Sequence, residues 1–477
     1  MHNRRDEVQA HMFVVSRLSS GLLLADPDAT DPPIRRTTRG LVIGLVLGLI
    51  AVIGVGIYGF LMPGGAKSWR TEGTMVTEKQ TGARYLYTGG VLRPVANYTS
   101  ALLIMGGRLG VRRVAATSLS GTPVGAPIGI EGAPDRPPAA KDLRNSAWQV
   151  CSSAGGDGTP VSTLEVAIPT VAPAMDRGLL VSAPGDVEYL IWHDRRFRLP
   201  DGPRTAELLG YATVHPYPVG AAFVNAIPAG ADLAFPRVPG AGRTGPRLSG
   251  SSTRIGQVFV ERRPGSADQY FLLTRDGLMP LTPTLVALGG GGKSADAIDT
   301  ATASQHLTTA PGNDPSSGLP PTPPAVTDVP AGEQPCVRVD STTTTVAFTA
   351  DEEVGGFPVT ARAQTTPPCS AIDRIGVPPG QGVLAYARSD GGHAATGATF
   401  LVTAERVKYP LDGGTALKNL GYDKAQAMPV PVSLLDLLPT GPRLDPVAAM
   451  SGTTTTTPPP TVGCRVEKPG SSPGQSG

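Results

Sequence analysis

The chain has 477 residues, enough for two or three domains, and its 41 basic against 39 acidic side chains leave a net charge of +2. So even a balance gives no basis for a nucleic-acid partner or a polybasic membrane-surface role. Aromatic residues make up only 5 %, so any core has to rest on aliphatic side chains.

The first predicted element is a helix over residues 4–24. Val8, Met12, Val15 and Leu22 recur at steps of three and four with Ser19 between them, and Phe13 and Leu18 lie at the margin. Segment 1–39 is too short to enclose a core, so this apolar face needs a partner. The competing reading lays the helix on the inner membrane surface with Arg4, Arg5 and Arg17 at the headgroups, but Asp6 and Glu7 weaken it.

Residues 40–62, "GLVIGLVLGLIAVIGVGIYGFLM", carry no charge. As a helix they would span about 33 Å, enough for a bilayer core. The run is too long for a signal peptide, no small-residue cleavage site follows, and Pro63, Gly64 and Gly65 read as a helix stop, so a retained transmembrane helix is expected. Arg35, Arg36 and Arg39 precede the span, and the four cysteines, Cys151, Cys336, Cys369 and Cys464, all follow it. Both cues put the N-terminus in the cytoplasm and residues 63–450 outside, in an oxidising compartment.

The outer region carries a degenerate repeat. "YLYTGGVLRP" (85–94), "YLIWHDRRFRLP" (189–200), "FLLTRDGLMP" (271–280) and "FLVTAERVKYP" (400–410) each pair two apolar runs around a polar turn and end on proline. They read as β-hairpins, with the proline suited to opening a helix. A glycine then follows an apolar residue at Gly106, Gly210, Gly289 and Gly421, where a short helix would end. The second and fourth units agree further: "TAELLGY" (205–211) matches "TALKNLGY" (415–422), and each tyrosine is followed by a Pro-Val pair, Pro218-Val219 and Pro429-Val430. The repeats are placed near 80–108, 185–235, 255–292 and 380–445.

Between and beside the repeats, "AWQVC" (147–151), "CVRVD" (336–340) and "TTVAFTA" (344–350) read as strands of a central β-rich core spanning 109–184 and 336–375. The Pro- and Gly-rich stretch 307–335 reads as a linker and 451–477 as a disordered tail. The fold class expected is α+β: one transmembrane helix and a large extracytoplasmic region with a central β core flanked by four small hairpin–helix repeats.

The stretch "LVALGGGGKSAD" (285–296) comes near the phosphate-cradling pattern G-x-x-x-x-G-K-[ST], with Gly289, Gly292, Lys293 and Ser294 as the candidate nucleotide-binding residues. The first required glycine falls at Ala287, and Gly289 takes the helix-ending position of the third repeat. A phosphate loop runs from strand into helix, whereas this one leaves a helix, and no βαβ pattern surrounds it. The six histidines show no metal-ligand spacing, no two cysteines form C-x-x-C, and no G-x-S-x-G elbow occurs. His193-Asp194 reads as a solvated turn and "NYT" (97–99) as an incidental glycosylation match. No catalytic residue, metal or cofactor is called, and a membrane-anchored structural or binding protein is the default.

Several longer motifs carry a family resemblance from about Arg5 to Ala449. "RDEVQAHMFVVSR" (5–17), "DPPIRR" (31–36), "LRPVANYTSALLIMG" (92–106), "APIGIEGAPD" (126–135), "WQVC" (148–151), "VPPGQGVL" (377–384) and "VPVSLLDLLPTGPRLDP" (430–446) occur in the order found in EccB, a membrane component of the type VII (ESX) secretion system of actinobacteria, and the chain resembles that family. Glu7, where the family usually has glutamine, is a departure. The resemblance implies assembly with an FtsK/SpoIIIE-like ATPase and a multi-helix channel subunit in a hexameric complex. It also implies repeats akin to cell-wall-binding modules, hence peptidoglycan contact, and a Cys151–Cys336 disulfide. Cys369 and Cys464 are additional and leave a second bridge open. ATPase activity has been proposed in the family; here it would have to use 289–294, so the expectation is a structural subunit with the ATPase as the alternative.

Overall fold

The structure, a computed structural model, describes residues 4–24, 34–61, 67–168, 173–308, 318–389 and 397–452. Its first helix is Arg4–Leu24, with Asp6 and Glu7 in the first turn where the helix dipole favours negative charge. Val8, Met12, Phe13, Leu18 and Leu22 are all exposed, so the apolar face has no partner within the described chain. The second helix is Ile34–Leu61, and Thr37–Tyr58 within it is long and apolar enough to cross a membrane and is not buried among the described residues. In hydrocarbon an unbroken helix satisfies every backbone group internally, which a run without strand or turn signals permits.

The region after the second helix has the α+β architecture expected, with all four hairpins in place, but each repeat is larger than a hairpin and a helix. In the first, the strand Thr74–Glu78 precedes the hairpin Arg84–Thr88 and Val91–Pro94; the helix Tyr98–Met105 follows, and Gly110–Val114 returns beside the opening strand. The return is parallel because it passes through a helix rather than a tight turn. The other three repeat this plan, opening at Leu179–Ala183, Val258–Glu261 and Gly382–Arg388 and returning at Tyr217–Pro218, Asp296–Ala297 and Met428–Pro431. In all four the strand order is third, second, first, fourth.

Three corrections follow. Pro94, Pro280 and Pro410 do not open the helices; they lie in the third strand, paired with Tyr85, Phe271 and Phe400. That strand stands at the sheet edge, where a missing N–H breaks no ladder. Gly110–Val114 and Leu179–Ala183, assigned to the central core by sequence, belong to the first and second repeats. Stretch 307–335 is not simply a linker. His306 and Thr308 bracket Leu278 with backbone bonds, Gly178 bonds Ala325 and Thr327, and the strand Glu333–Val339 has already begun; residues 309–317 lie outside the described residues.

The central sheet has six strands, in the order Thr344–Ala350, Glu333–Val339, Trp148–Ala154, Pro160–Glu165, Arg374–Gly376, Phe357–Pro358. One face, carrying Trp148, Val150, Leu164, Val337 and Val346, joins the largest core cluster. Leu179 and Val181 of the second repeat enter that cluster, as do Val383, Ala385 and Val430 of the fourth. A second cluster joins the first repeat to the fourth through Leu103 against Leu384, Leu401, Leu417 and Leu420. A third joins the second to the third through Leu180, Phe197 and Leu209 against Leu272, Leu281 and Leu285. The repeats therefore form two pairs, first with fourth and second with third, held together through the central sheet.

This explains the added likeness of the second and fourth units. Both dock on the same cluster at their returns, through Val430 in the strand Met428–Pro431 and Val219 directly after Tyr217–Pro218. Their tyrosines are buried in the same way, Tyr211 donating to Pro324 O at 2.8 Å and Tyr422 to Pro138 O at 2.7 Å.

Candidate functional site

The glycine run begins where the helix Pro283–Leu288 ends. The N–H groups of Gly289, Gly290 and Gly291 donate to Leu285 O, Ala287 O and Val286 O, each at 2.9 Å. They cap the helix carbonyls and have no N–H left to offer a phosphate, and the negative end of the helix dipole points at the run. The helix-ending conformation lies one residue later than expected: Gly289 has φ −79°, whereas Gly290, at φ 91°, takes the left-handed position that Gly421, at φ 79°, occupies in the fourth repeat. Gly292 sits against the Tyr270 ring, where a Cβ would overlap it. Lys293 and Ser294 are exposed on the turn that leads to Asp296. The structure thus keeps Gly289, Gly292, Lys293 and Ser294 together only as neighbours along a helix exit.

The other candidates are absorbed in the same way. His193 and Asp194 form the exposed turn of the second hairpin, with His193 stacked on Trp192 at 4.0 Å. Asn97 is buried as the N-cap of Tyr98–Met105, its Oδ1 accepting from Ser100 N at 2.8 Å and its Nδ2 donating to Ile130 O at 2.8 Å. Among the described residues no group of three or more metal-ligating side chains forms.

Sequence reading missed the buried polar chemistry. On the face of the central sheet opposite Trp148, Arg338 Nε donates to Gln149 Oε1 at 2.9 Å, and Gln149 Nε2 donates to Glu165 Oε2 at 2.5 Å. Gly355 N closes the row on Glu165 Oε1 at 2.8 Å. Burial pushes the Glu165 carboxyl up, opposed by the Gln149 and Gly355 bonds and the Arg338 charge. The next cross-strand pair on this face is Cys151–Cys336, a disulfide with Cα atoms 4.0 Å apart. The second bridge considered would need Cys464, which lies outside the described residues. In the fourth repeat, Lys408 Nζ donates to Leu435 O at 2.5 Å and pairs with Asp436 at 3.4 Å; burial pulls its pKa down, and the Asp436 charge opposes this. The one sequence signal for these groups is a charge inside an alternating strand, as in "CVRV". All of them join neighbouring elements, and none faces a cleft with a nucleophile or an open donor set.

Comparison with known proteins decides the family. The family model described as "Type VII secretion system ESX-1, transport TM domain B" matches residues 2–458. The chain belongs to the EccB family. It is 29 % identical over 295 residues to the ESX-3 secretion system ATPase EccB3 of Mycolicibacterium smegmatis, a match covering 60 % of this chain and 56 % of that relative. It is 26 % identical over 500 aligned positions to the protein of the same name from Mycobacterium tuberculosis H37Rv, covering 94 % and 89 %. The fold is similar to a chain of an intact ESX-5 inner membrane complex, with a TM-score of 0.62, 22 % identity and coverage of 94 % and 95 %. It is likewise similar to an EccB3 dimer from the ESX-3 core complex, with a TM-score of 0.62, 23 % identity and coverage of 79 % and 99 %.

Proposed function

We propose that this EccB-family chain is a structural subunit of a type VII (ESX) secretion complex in the inner membrane, with its N-terminus cytoplasmic and its repeats outside. The observation that carries this reading is the architecture itself: four sheets of one topology, clamped in pairs onto a central sheet. The polar groups singled out within it are committed to joining those parts. The unpartnered helix Arg4–Leu24 supplies a docking face for the ATPase and channel subunits on the cytoplasmic side, and the repeats supply surface for peptidoglycan contact. The relatives' names call them ATPases. The bonded state of Gly289, Gly290 and Gly291 weighs against carrying that activity over through residues 289–294.

The test is copurification from mildly solubilised membranes of the producing cell, with the chain tagged after Gly452. The intact chain is expected to bring down the other membrane subunits, and a variant lacking residues 4–24 to insert without them. Wild-type assembly by the truncated chain would move the docking function to the span or the outer region. Labelled ATP bound by the purified chain and lost on Lys293→Ala would overturn the non-enzymatic reading.

A further inference from the structure

We infer that the return strand of the first repeat, Gly110–Val114, is a docking edge for an extended acidic segment of another protein, which adds to the sheet as a fifth strand. The inference goes beyond the scaffold reading and stands whether or not the chain hydrolyses a nucleotide.

Comparison of the four repeats singles this strand out. The third-strand edges are all closed by a following segment, through the parallel bridges Leu92–Val124, Arg196–Ala229, Leu278–Leu307 and Leu411–Leu444. The opposite edges, formed by the return strands, are blunted in three repeats. Tyr217–Pro218 and Asp296–Ala297 are two residues long, and the Tyr217 hydroxyl is taken by Ala154 N. Met428–Pro431 is largely buried and runs straight into the helix Val432–Leu435. Gly110–Val114 differs on both counts: it is five residues long, and Val111, Arg112 and Arg113 are exposed. No bridge from any other described segment reaches it. A strand of that length left open is what natural sheets otherwise avoid.

The backbone of this edge is set for pairing. Gly110 N donates to Gly73 O and Val114 O accepts from Lys79 N, so Gly110, Arg112 and Val114 turn their peptide groups toward Thr74–Glu78. By alternation, Val111 and Arg113 turn theirs outward. The Val111 carbonyl takes only a 3.3 Å bond from the neighbouring Arg112 guanidinium, which an incoming N–H would replace. Val111 itself is 42 % exposed, an apolar contact for a cross-strand neighbour.

Charge selects the occupant. Arg108, Arg112 and Arg113 are exposed, and residues 106–120 contain no acidic side chain. A second copy pairing edge to edge would set these arginines against each other, which is unfavourable for directly opposed like charges. A strand with carboxylates at alternate positions would instead set them all on one face of the sheet, against Arg112, and its intervening apolar residues on the other face, beside Val111. Main-chain bonds then give affinity and the arginines give selectivity, as in other strand-addition complexes.

The test measures binding of a dye-labelled Glu-Val-Glu-Val-Glu peptide, and of its Gln-Val-Gln-Val-Gln counterpart, to the full-length chain in detergent. The acidic peptide is expected to bind about fivefold more tightly than the neutral one, with the advantage lost on Arg112→Ala plus Arg113→Ala. Val111→Pro removes an outward N–H while leaving the inner ladder intact, and should weaken binding by about tenfold or more. If that variant fails to fold, the wild-type chain with a peptide N-methylated at alternate residues asks the same question from the other partner. Binding insensitive to both changes overturns the strand-addition reading, as does no binding at all. Arginine-dependent capture of phosphatidylglycerol vesicles without peptide binding also overturns it and assigns the arginines to lipid. Self-association abolished by Val111→Pro would overturn the choice of occupant.

Discussion

Replacing Leu103 by alanine tests whether the first repeat is held by the fourth. Leu103 is fully buried in the helix Tyr98–Met105, against Leu384, Leu401, Leu417 and Leu420. Asn419 Nδ2 also donates across this seam to Leu103 O at 2.5 Å. Losing about three methylene equivalents at ~0.8 kcal/mol each removes about 2.4 kcal/mol of burial, and an unrelaxed cavity raises the cost to about 3–5 kcal/mol. Because the buried side chains of the seam adjoin the largest core cluster through the fourth repeat, the damage should be mainly local. Hydrogen exchange of the detergent-solubilised protein should show faster exchange in Tyr98–Met105 and Gly110–Val114, with Trp148–Ala154 unchanged. Val447→Ala, at a side chain 75 % exposed, is the matched control and should leave exchange as in the wild type. Loss of less than about 1 kcal/mol of local protection, or equal loss in the central sheet, would refute the paired arrangement as the basis of the first repeat's stability.

Three further outcomes are expected. Cys151→Ala plus Cys336→Ala, which opens a loop of 185 residues, should cost about 5 kcal/mol in the chain-entropy account and lower the denaturation midpoint; non-reducing peptide mapping of the wild type should recover the Cys151–Cys336 peptide. Burial pushes the Tyr211 phenol up to about 12, so its folded pKa lies above the usual value near 10. Its stabilising contribution is then fully present below pH 10 and lost as pH rises toward 12; Tyr211→Phe should flatten that decline in denaturation curves, though not abolish it, since Tyr409 and Tyr422 are raised in the same direction. Lys293→Ala, on an exposed turn, should leave folding and secretion-complex recovery within error of wild type.

The chain itself determined what depends on neighbours in sequence. An uncharged run long enough for a bilayer commits residues 40–61 to one helix, because in an apolar medium a helix pairs its own backbone. The hairpins were legible because period-two alternation and turn residues lie within a dozen positions of each other, and the helix exits because glycine marks them. Even the position of the 289–294 glycine run behind a helix rather than ahead of one could be read from the order helix-then-glycine.

The tertiary structure decided what depends on pairing between distant segments. Gly110–Val114 and Leu179–Ala183 have the composition of any strand; only hydrogen bonding to Thr74–Glu78 and to Val187–Trp192 puts them in the repeats rather than the core. Pro94 and Pro410 could open a helix or end an edge strand equally well by propensity, and the edge position settled it, since there a missing N–H costs no ladder bond. The row Arg338–Gln149–Glu165 was invisible for the same reason. Its members are far apart in sequence, and only the register of three strands lets each side chain satisfy the next.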